Sequence, residues 1–227
     1  MNDGDLTQAP LRALLFASLL AAGPAWAAGG HHAVDDAAIL EPGACEVEGW
    51  YKQGSGRVRL AHAGLNCRVG PVELGAASEH ERDPSGRATA HGLQAKWATE
   101  LAPKWNVGIS VAPAWQAHVQ PRYLGATVAG LLTWAAREDL TFHANLGRDL
   151  LHQAGDEKRY GAAVEWTPIE RWSLMAERYF EAATHAVRAG VRWSVSDTFT
   201  VDLSHAHRIS GTRPSHWTLG ATWSFER

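Results

Sequence analysis

The feature that most constrains this fold is an alternation of apolar and polar residues with period two, which recurs from Ala44 to the end of the chain. In residues 105–117, for example, apolar side chains alternate with Asn106, Ser110 and Gln116. Segments of about ten residues have the length of strands that cross a bilayer at a tilt. The pattern predicts an all-β chain of about twelve strands, with ten or fourteen as alternatives, near residues 44–52, 57–67, 71–79, 89–99, 105–117, 123–135, 139–148, 158–167, 171–180, 185–195, 198–206 and 215–225.

The connections between these segments also alternate in length. Short turns such as "RVGP" and "LAPK" are interleaved with longer or more polar connections such as "KQGSGR", "EHERDPSGRA", "LLHQAGDEK" and "EAAT". Short periplasmic turns and longer external loops are typical of outer-membrane barrels. An open sheet edge in hydrocarbon would leave backbone groups unpaired, so a spanning sheet must close. We therefore predict a closed antiparallel transmembrane β-barrel with both termini in the periplasm.

Aromatic residues cluster beside the short turns. The chain contains 11 tryptophans, and many of them lie on the apolar face of a strand within a few residues of such a turn. A soluble β-sandwich is the alternative, but it gives no reason for this clustering. The arrangement predicts an aromatic girdle at one membrane interface, formed by Trp97, Trp105, Trp134, Trp166, Trp172, Trp193, Trp223 and Phe225.

The first 27 residues have the features of a secretory signal peptide, with an apolar stretch, a Gly-Pro break and an Ala-x-Ala ending. We expect three parts: a cleaved signal peptide over 1–27, a periplasmic N-terminal segment over 28–43 and the barrel over 44–227. The net charge of −3 gives no indication of a nucleic-acid partner. The expected partners are outer-membrane lipid, the barrel assembly machinery and an unidentified small solute.

The two cysteines test the strand register. Export places them in an oxidising compartment. If "GSG" at 54–56 centres the first hairpin, Cys45 lies opposite Cys67, and opposite positions on antiparallel strands come close enough for a bridge. We predict a disulfide between them at the periplasmic base of the first two strands, with two free buried thiols as the alternative.

The sequence resembles the small bacterial outer-membrane β-barrels related to the proteins of the phenol-degradation meta-pathway, many of which are described as transporters. The matching stretches are "LEPGACEVEGWY", "CRVGPVELG", "GLQAKW", "GAAVEW", "AERYF" and "WTLGATWSF". This resemblance implies an outer-membrane location and passage of small, aromatic or apolar solutes. One departure concerns assembly: barrels of this type usually end on an aromatic residue, whereas here Phe225 is followed by Glu226-Arg227.

Function depends on the inward face, which alternation fills with charges of both signs. The loop register predicts that Glu73 faces Lys96 and that Glu177 faces Arg188. A barrel of this size can hold a narrow polar channel or a filled lumen. No catalytic residue is predicted, because Ser204 and His205 point to opposite faces. The lumen-facing candidates are Glu73, Lys96, His143, Glu165, Glu177, Arg188, Arg192 and Asp202.

The segment before the first strand carries His31, His32, Asp35 and Asp36, whose side chains suit zinc or copper. The alternatives are a solvated tail in which an aspartate caps one helical turn, or a segment folded into the lumen as a partial plug. No other cofactor is expected. The sequence thus predicts a channel or transporter for small solutes. The alternatives are a non-conducting structural or metal-binding barrel, or a soluble lipocalin-like binder.

Overall fold

Twelve antiparallel strands follow one another around the molecule, and β1 pairs with β12 to close a barrel. The structure, a computed structural model, describes residues 31–226, so the predicted signal peptide lies outside the described residues. No helix in residues 31–226 is long and apolar enough to span a membrane. The strands are β1 Ala44–Gly54, β2 Arg59–Val69, β3 Val72–Asp83, β4 Gly86–Ala102, β5 Trp105–Gln116, β6 Tyr123–Arg137, β7 Leu140–Leu151, β8 Glu157–Ile169, β9 Trp172–Glu181, β10 Thr184–Ser194, β11 Phe199–Ser210 and β12 His216–Glu226.

The predicted fold class is confirmed, including the strand count and the register of the first hairpin. Cys45 lies directly opposite Cys67, with their Cα atoms 4.1 Å apart, and the two form a disulfide. Glu46 stands opposite Asn66 and Asn66 Nδ2 donates to Glu46 Oε1 at 3.2 Å, so polar side chains meet on the inner face.

Removing this disulfide should lower the stability of the barrel. The bond closes a loop with a sequence separation of 22 residues, and loops of that size are associated with stabilisation of about 2–4 kcal/mol. We expect a Cys45→Ala/Cys67→Ala variant to unfold in detergent at a lower urea midpoint than the parent. Reducing the parent protein should reproduce the shift, and an unchanged midpoint in both would show that the bond adds nothing.

The connections define two ends of the barrel. The turn end carries the connections after β2, β4, β6, β8 and β10, and the loop end carries the others. Two loop-end connections are shorter than expected: Pro84-Ser85 and Ala182-Ala183 are two-residue turns. In the first turn, Asp83 Oδ1 accepts hydrogen bonds from the backbone N–H groups of Ser85 and Gly86, at 2.8 and 2.9 Å. Much of the predicted loop "EHERDPSGRA" therefore continues as β3 and β4.

The two faces of the wall are inverted relative to a soluble protein. Period-two alternation directs charged and polar side chains into the lumen, where Lys96 is 1 % and Asp202 3 % exposed. Large apolar side chains face outward, and Leu146 on β7 and Leu219 on β12 are 74 % and 55 % exposed. A wall that is polar inside and apolar outside suits an apolar surrounding medium.

The N-terminal residues run from Gly43 at the turn end up into the lumen. The predicted helical turn is not formed, because the backbone N–H groups that a helix would use are taken by side chains of the wall, as at Ala37 and Leu40. Asp36 Oδ1 accepts a hydrogen bond from the backbone N–H of Ala38 at 3.2 Å, which makes a local turn instead.

Candidate functional site

The candidate site is the lumen, whose turn-end half is occupied by residues 31–40, here called the plug segment. Glu177 on β9 binds its backbone: Oε2 accepts from the N–H of Val34 at 2.9 Å and of Ala33 at 3.1 Å. Arg188 on β10 stands directly opposite Glu177, and the two side chains form an ion pair at 2.9 Å. One wall pair thus neutralises its own charge and holds the plug segment at mid-height.

A second attachment joins the plug segment to β4. Lys96 Nζ donates to Asp35 Oδ1 at 2.9 Å and to Asp36 Oδ1 at 2.8 Å. The side-chain amide of Asn145, in the orientation that satisfies its hydrogen bonds, pairs with the backbone N–H and C=O of Asp35 at 2.7 and 2.8 Å. Buried charges are tolerated only when they are paired, so burial of Lys96 and docking of the segment depend on each other.

The turn-end part of the plug segment is held through its backbone. Leu40 N–H donates to Glu73 Oε2 and Leu40 C=O accepts from Arg68 Nη1, both at 2.9 Å. The N–H of Ala37 donates to Thr133 Oγ1 at 2.8 Å. These bonds fix a segment that has no secondary structure of its own, because they replace the pairings that a strand would supply.

The predicted facing of Glu73 and Lys96 is present in the register of β3 and β4. Their side chains, however, bind the plug segment: Glu73 accepts from Leu40, and Lys96 donates to Asp35 and Asp36. Sequence reasoning paired the two wall residues because it considered the strands alone.

The other predicted lumen residues form a network on the opposite wall. Arg192 Nε donates to Asp202 Oδ1 at 2.8 Å, and Arg192 Nη1 lies 3.7 Å from Glu165 Oε1. The second oxygen of Glu165 lies 4.0 Å from His143 Nε2. All eight lumen-facing candidates therefore sit on the inner face, and within residues 31–226 all but Glu73 lie within ion-pair distance of an ionisable side chain of opposite type. Glu73 instead accepts from the backbone of the plug segment.

His31 forms the upper end of the plug segment. Its Nε2 lies 2.6 Å from Ser204 Oγ, and its carbonyl oxygen accepts from Arg188 Nη1. Burial, and to a smaller extent the neighbouring His32, keeps the pKa of His31 below its ordinary value, so the imidazole is neutral. No acid orients this imidazole, because His31 Nδ1 has no hydrogen-bond partner in residues 31–226, whereas a nucleophile's base is normally oriented by a third group. The contact therefore serves to hold the segment.

The four candidate metal ligands do not form one cluster: the two histidine rings stack on each other with centroids 4.6 Å apart, and the two aspartates share Lys96. His31 contacts Ser204, His32 Nδ1 lies 3.6 Å from Glu177 Oε1, and the two aspartates receive Lys96. Within residues 31–226 no group of three or more histidine, cysteine or acidic side chains could hold a metal ion. Zinc or copper binding stays a prediction, and it would require the segment to leave these partners.

Above His31 the lumen opens into a cavity, here called the outer vestibule. It encloses about 490 Å³ of empty space, a figure that includes the part open to solvent. Its lining is aromatic and basic and includes Trp50, Lys52, Tyr179, Arg188 and Arg213. The outer vestibule reaches the loop end, while the plug segment occupies the lumen below it.

Trp50 is a lumen residue that sequence reasoning missed. It is 6 % exposed and stacks on His62 with ring centroids 4.5 Å apart, and Lys52 Nζ lies 5.0 Å from its ring centroid. The signal was present, since the alternation that directs Glu46 and Glu48 inward also directs Trp50 inward. The predicted girdle tryptophans, in contrast, all face outward and are 38–54 % exposed.

A comparison with protein families matches residues 16–225 to the family described as Uncharacterised conserved protein UCP029691. The chain belongs to this family. The match covers the plug segment and nearly the whole barrel. No curated protein sequence matches the chain. The resemblance to barrels of phenol degradation stays a prediction.

Solved structures share the fold at low sequence identity. The KdgM porin is 8 % identical, with a TM-score of 0.65 over 80 % of this chain and 99 % of its own. The COG4313 outer membrane channel from Pseudomonas putida F1 is 10 % identical, with a TM-score of 0.60 over 84 % of this chain and 98 % of its own. The Ralstonia pickettii toluene transporter TbuX is 10 % identical, with a TM-score of 0.52 over 83 % and 79 %. These neighbours of the UCP029691 member are channels and transporters, and the likeness shows a shared fold.

Proposed function

We propose that this chain is an outer-membrane β-barrel that passes small solutes through its lumen, and that the plug segment closes the lumen in the structure described here. The observation that carries the proposal is the position of the plug segment. It lies inside the wall without being part of it, and it separates the outer vestibule from the turn end. A solute can cross only if the segment moves, so the lumen has a closed state and an open state.

The outer face supports placement in a membrane. Aromatic side chains near the turn end stack outside the wall, as Trp105 does on Trp134 at 5.3 Å and Trp172 on Trp193 at 5.6 Å. Near the loop end Trp217 is 55 % exposed, and aliphatic side chains separate it from the turn-end aromatics. Two aromatic bands around an aliphatic zone are typical of outer-membrane barrels. We propose the turn-end band as the periplasmic girdle, contacting lipid.

The route to the membrane follows from the same proposal. Export would use residues 1–27 as a cleaved signal peptide, and insertion would use the barrel assembly machinery. The fold of a channel does not determine which class of solute it passes. A KdgM porin structure contains oligogalacturonate, and TbuX is a toluene transporter, so barrels of this shape serve solutes of opposite polarity. The solute must therefore be inferred from the vestibule.

Planar bilayer recording of the protein purified from the membrane fraction tests the proposal. We expect discrete conductance steps that are infrequent, because the plug segment is held by several buried hydrogen bonds and ion pairs. The same contacts favour the alternative, a non-conducting structural barrel. Silence from folded parent protein and from the Lys96→Ala variant, in which the plug segment is released, would support that alternative. Release from cells without detergent would instead favour a soluble, lipocalin-like binder.

A further inference from the structure

The outer vestibule has an unbalanced charge. Four cationic side chains line it, namely those of Lys52, Arg188, Arg208 and Arg213, against the single carboxylate of Glu181. That carboxylate is already engaged, because Arg159 Nη1 donates to Glu181 Oε2 at 2.9 Å. Arg188 is likewise paired, with Glu177 at 2.9 Å. The excess positive charge of the lining therefore comes from Lys52, Arg208 and Arg213.

Two of these cations are available to a ligand. Lys52 is half-buried and contacts the ring of Trp50, and the side chain of Arg213 is also half-buried. Neither makes an ion pair within residues 31–226. Two acids of β3, Glu79 and Glu81, lie within electrostatic range of Lys52, and Glu81 is also in range of Arg213, but neither acid lines the cavity. A half-buried cation without an ion-pair partner is costly, and a bound anion would lower that cost.

Buried polar atoms around the cavity lack partners as well. Arg188 Nε, His31 Nδ1 and His216 Nε2 are buried without a hydrogen bond in the described part of the chain. Arg188 Nε can only donate. His216 Nδ1 lies 3.2 Å from the carbonyl of Pro214 and must donate to it, so a neutral His216 presents its Nε2 as an acceptor. The free N–H of Arg188, together with the cations of Lys52 and Arg213, would be satisfied by a ligand with acceptor oxygens.

The remaining lining is apolar and small. Ala33, Ala186 and Ala206 contribute methyl groups, and Pro214 and the edge of Trp50 add apolar surface. A bare inorganic anion would leave this surface unused, while a carboxylate attached to a short apolar body would contact both parts of the lining.

We propose that the outer vestibule binds a monocarboxylate with a small apolar body, such as benzoate, which would be the class of solute that the barrel passes. The inference rests on the proposed function and names its solute. The carboxylate lies between Lys52 and Arg213, within reach of Arg188, and the apolar body lies against the alanines. Binding occurs with the plug segment in place, because His31 forms the floor of the cavity.

Isothermal titration of the detergent-solubilised protein with benzoate tests this inference. We expect benzoate to bind, and benzamide and benzylamine, which keep the ring but lose the negative charge, to bind at least about tenfold more weakly. Lys52→Met and Arg213→Met should each weaken benzoate binding about tenfold. Lys158→Met, which removes an exposed lysine on β8, is the matched control and should bind as the parent does.

Each outcome has a defined meaning. Equal affinity for benzoate and benzamide, or equal affinity in Lys52→Met and Lys158→Met, overturns the inference. Sulfate that competes as well as benzoate also overturns it, because the site would then recognise simple anions. Variants that lose the heat-dependent gel mobility of a folded barrel are replaced by Lys52→Gln and Arg213→Gln. Conductance without benzoate binding would contradict this inference and leave the channel proposal standing. Benzoate binding without conductance would support the binding site and contradict the channel proposal.

Discussion

Replacing Lys96 by alanine should open the lumen. The ammonium group is buried and holds both carboxylates of the plug segment, at 2.9 and 2.8 Å. Its removal leaves Asp35 buried without its cation, and the loss of one partner of a buried pair costs about 3–5 kcal/mol. A change of that size shifts the balance between docked and undocked segment by roughly a hundredfold or more. We expect the Lys96→Ala protein to conduct far more often than the parent in planar bilayers.

The matched control is Lys158→Ala, because Lys158 is exposed on β8 and touches no part of the plug segment. A triple variant, Lys96→Met/Asp35→Asn/Asp36→Asn, tests the cause. It removes the charges on both sides, and replacing a complete buried ionic group is often nearly neutral, so part of the closure should return. If Lys96→Ala is folded and conducts no more than Lys158→Ala, the ion pair does not keep the lumen closed.

The strands and their faces were predictable because they depend on local pattern. A period-two alternation fixes which residues point inward, and a hairpin centred on a short turn fixes which residues meet. These two rules predict Cys45 opposite Cys67 and Glu177 opposite Arg188, and both pairs are present. The prediction needed no long-range information, since all neighbouring strands except the closing pair β1 and β12 are also neighbours in sequence.

The partners of the plug segment were not predictable in the same way. Asp35 and Lys96 lie 61 residues apart in sequence, and Ala33 and Glu177 lie 144 apart. The segment has no periodicity that would fix a register, so its contacts exist only once the barrel has closed around it. Its four metal-binding residue types led to a metal prediction because, in sequence, they are one cluster. In the lumen they form two pairs, since the stacked histidines contact Ser204 and Glu177 while both aspartates bind Lys96.

The lining of the outer vestibule was predictable only in part. The inward direction of Trp50 and Lys52 follows from the alternation of β1, but Arg213 belongs to the connection between β11 and β12. The alternation within strands does not predict the conformation of a connection, so the position of Arg213 could not be inferred from it. The prediction of a lumen with charges of both signs considered the strands alone and therefore missed the excess of cations at the loop end.

Fixing the plug segment to the wall should have the opposite effect to the Lys96 substitution. A Cβ atom built on Gly161 of β8 would lie 2.6 Å from Val34 Cγ2, so cysteines at these two positions bring their sulfur atoms within bonding reach. We expect the oxidised Val34→Cys/Gly161→Cys protein to be silent in planar bilayers. Placed in the Lys96→Ala background, the oxidised crosslink should abolish the added conductance.

Reduction distinguishes the crosslink from damage to the barrel. A reductant should restore the conductance of the crosslinked Lys96→Ala protein, and the Lys96→Ala protein without the added cysteines, treated identically, controls for loss of the Cys45–Cys67 bond. The Val34→Cys single variant controls for the smaller side chain at the plug. If the oxidised crosslinked protein conducts as much as Lys96→Ala alone, solutes pass without displacing the plug segment. The path would then lie beside the segment, and the closed state inferred here from its buried contacts would be wrong.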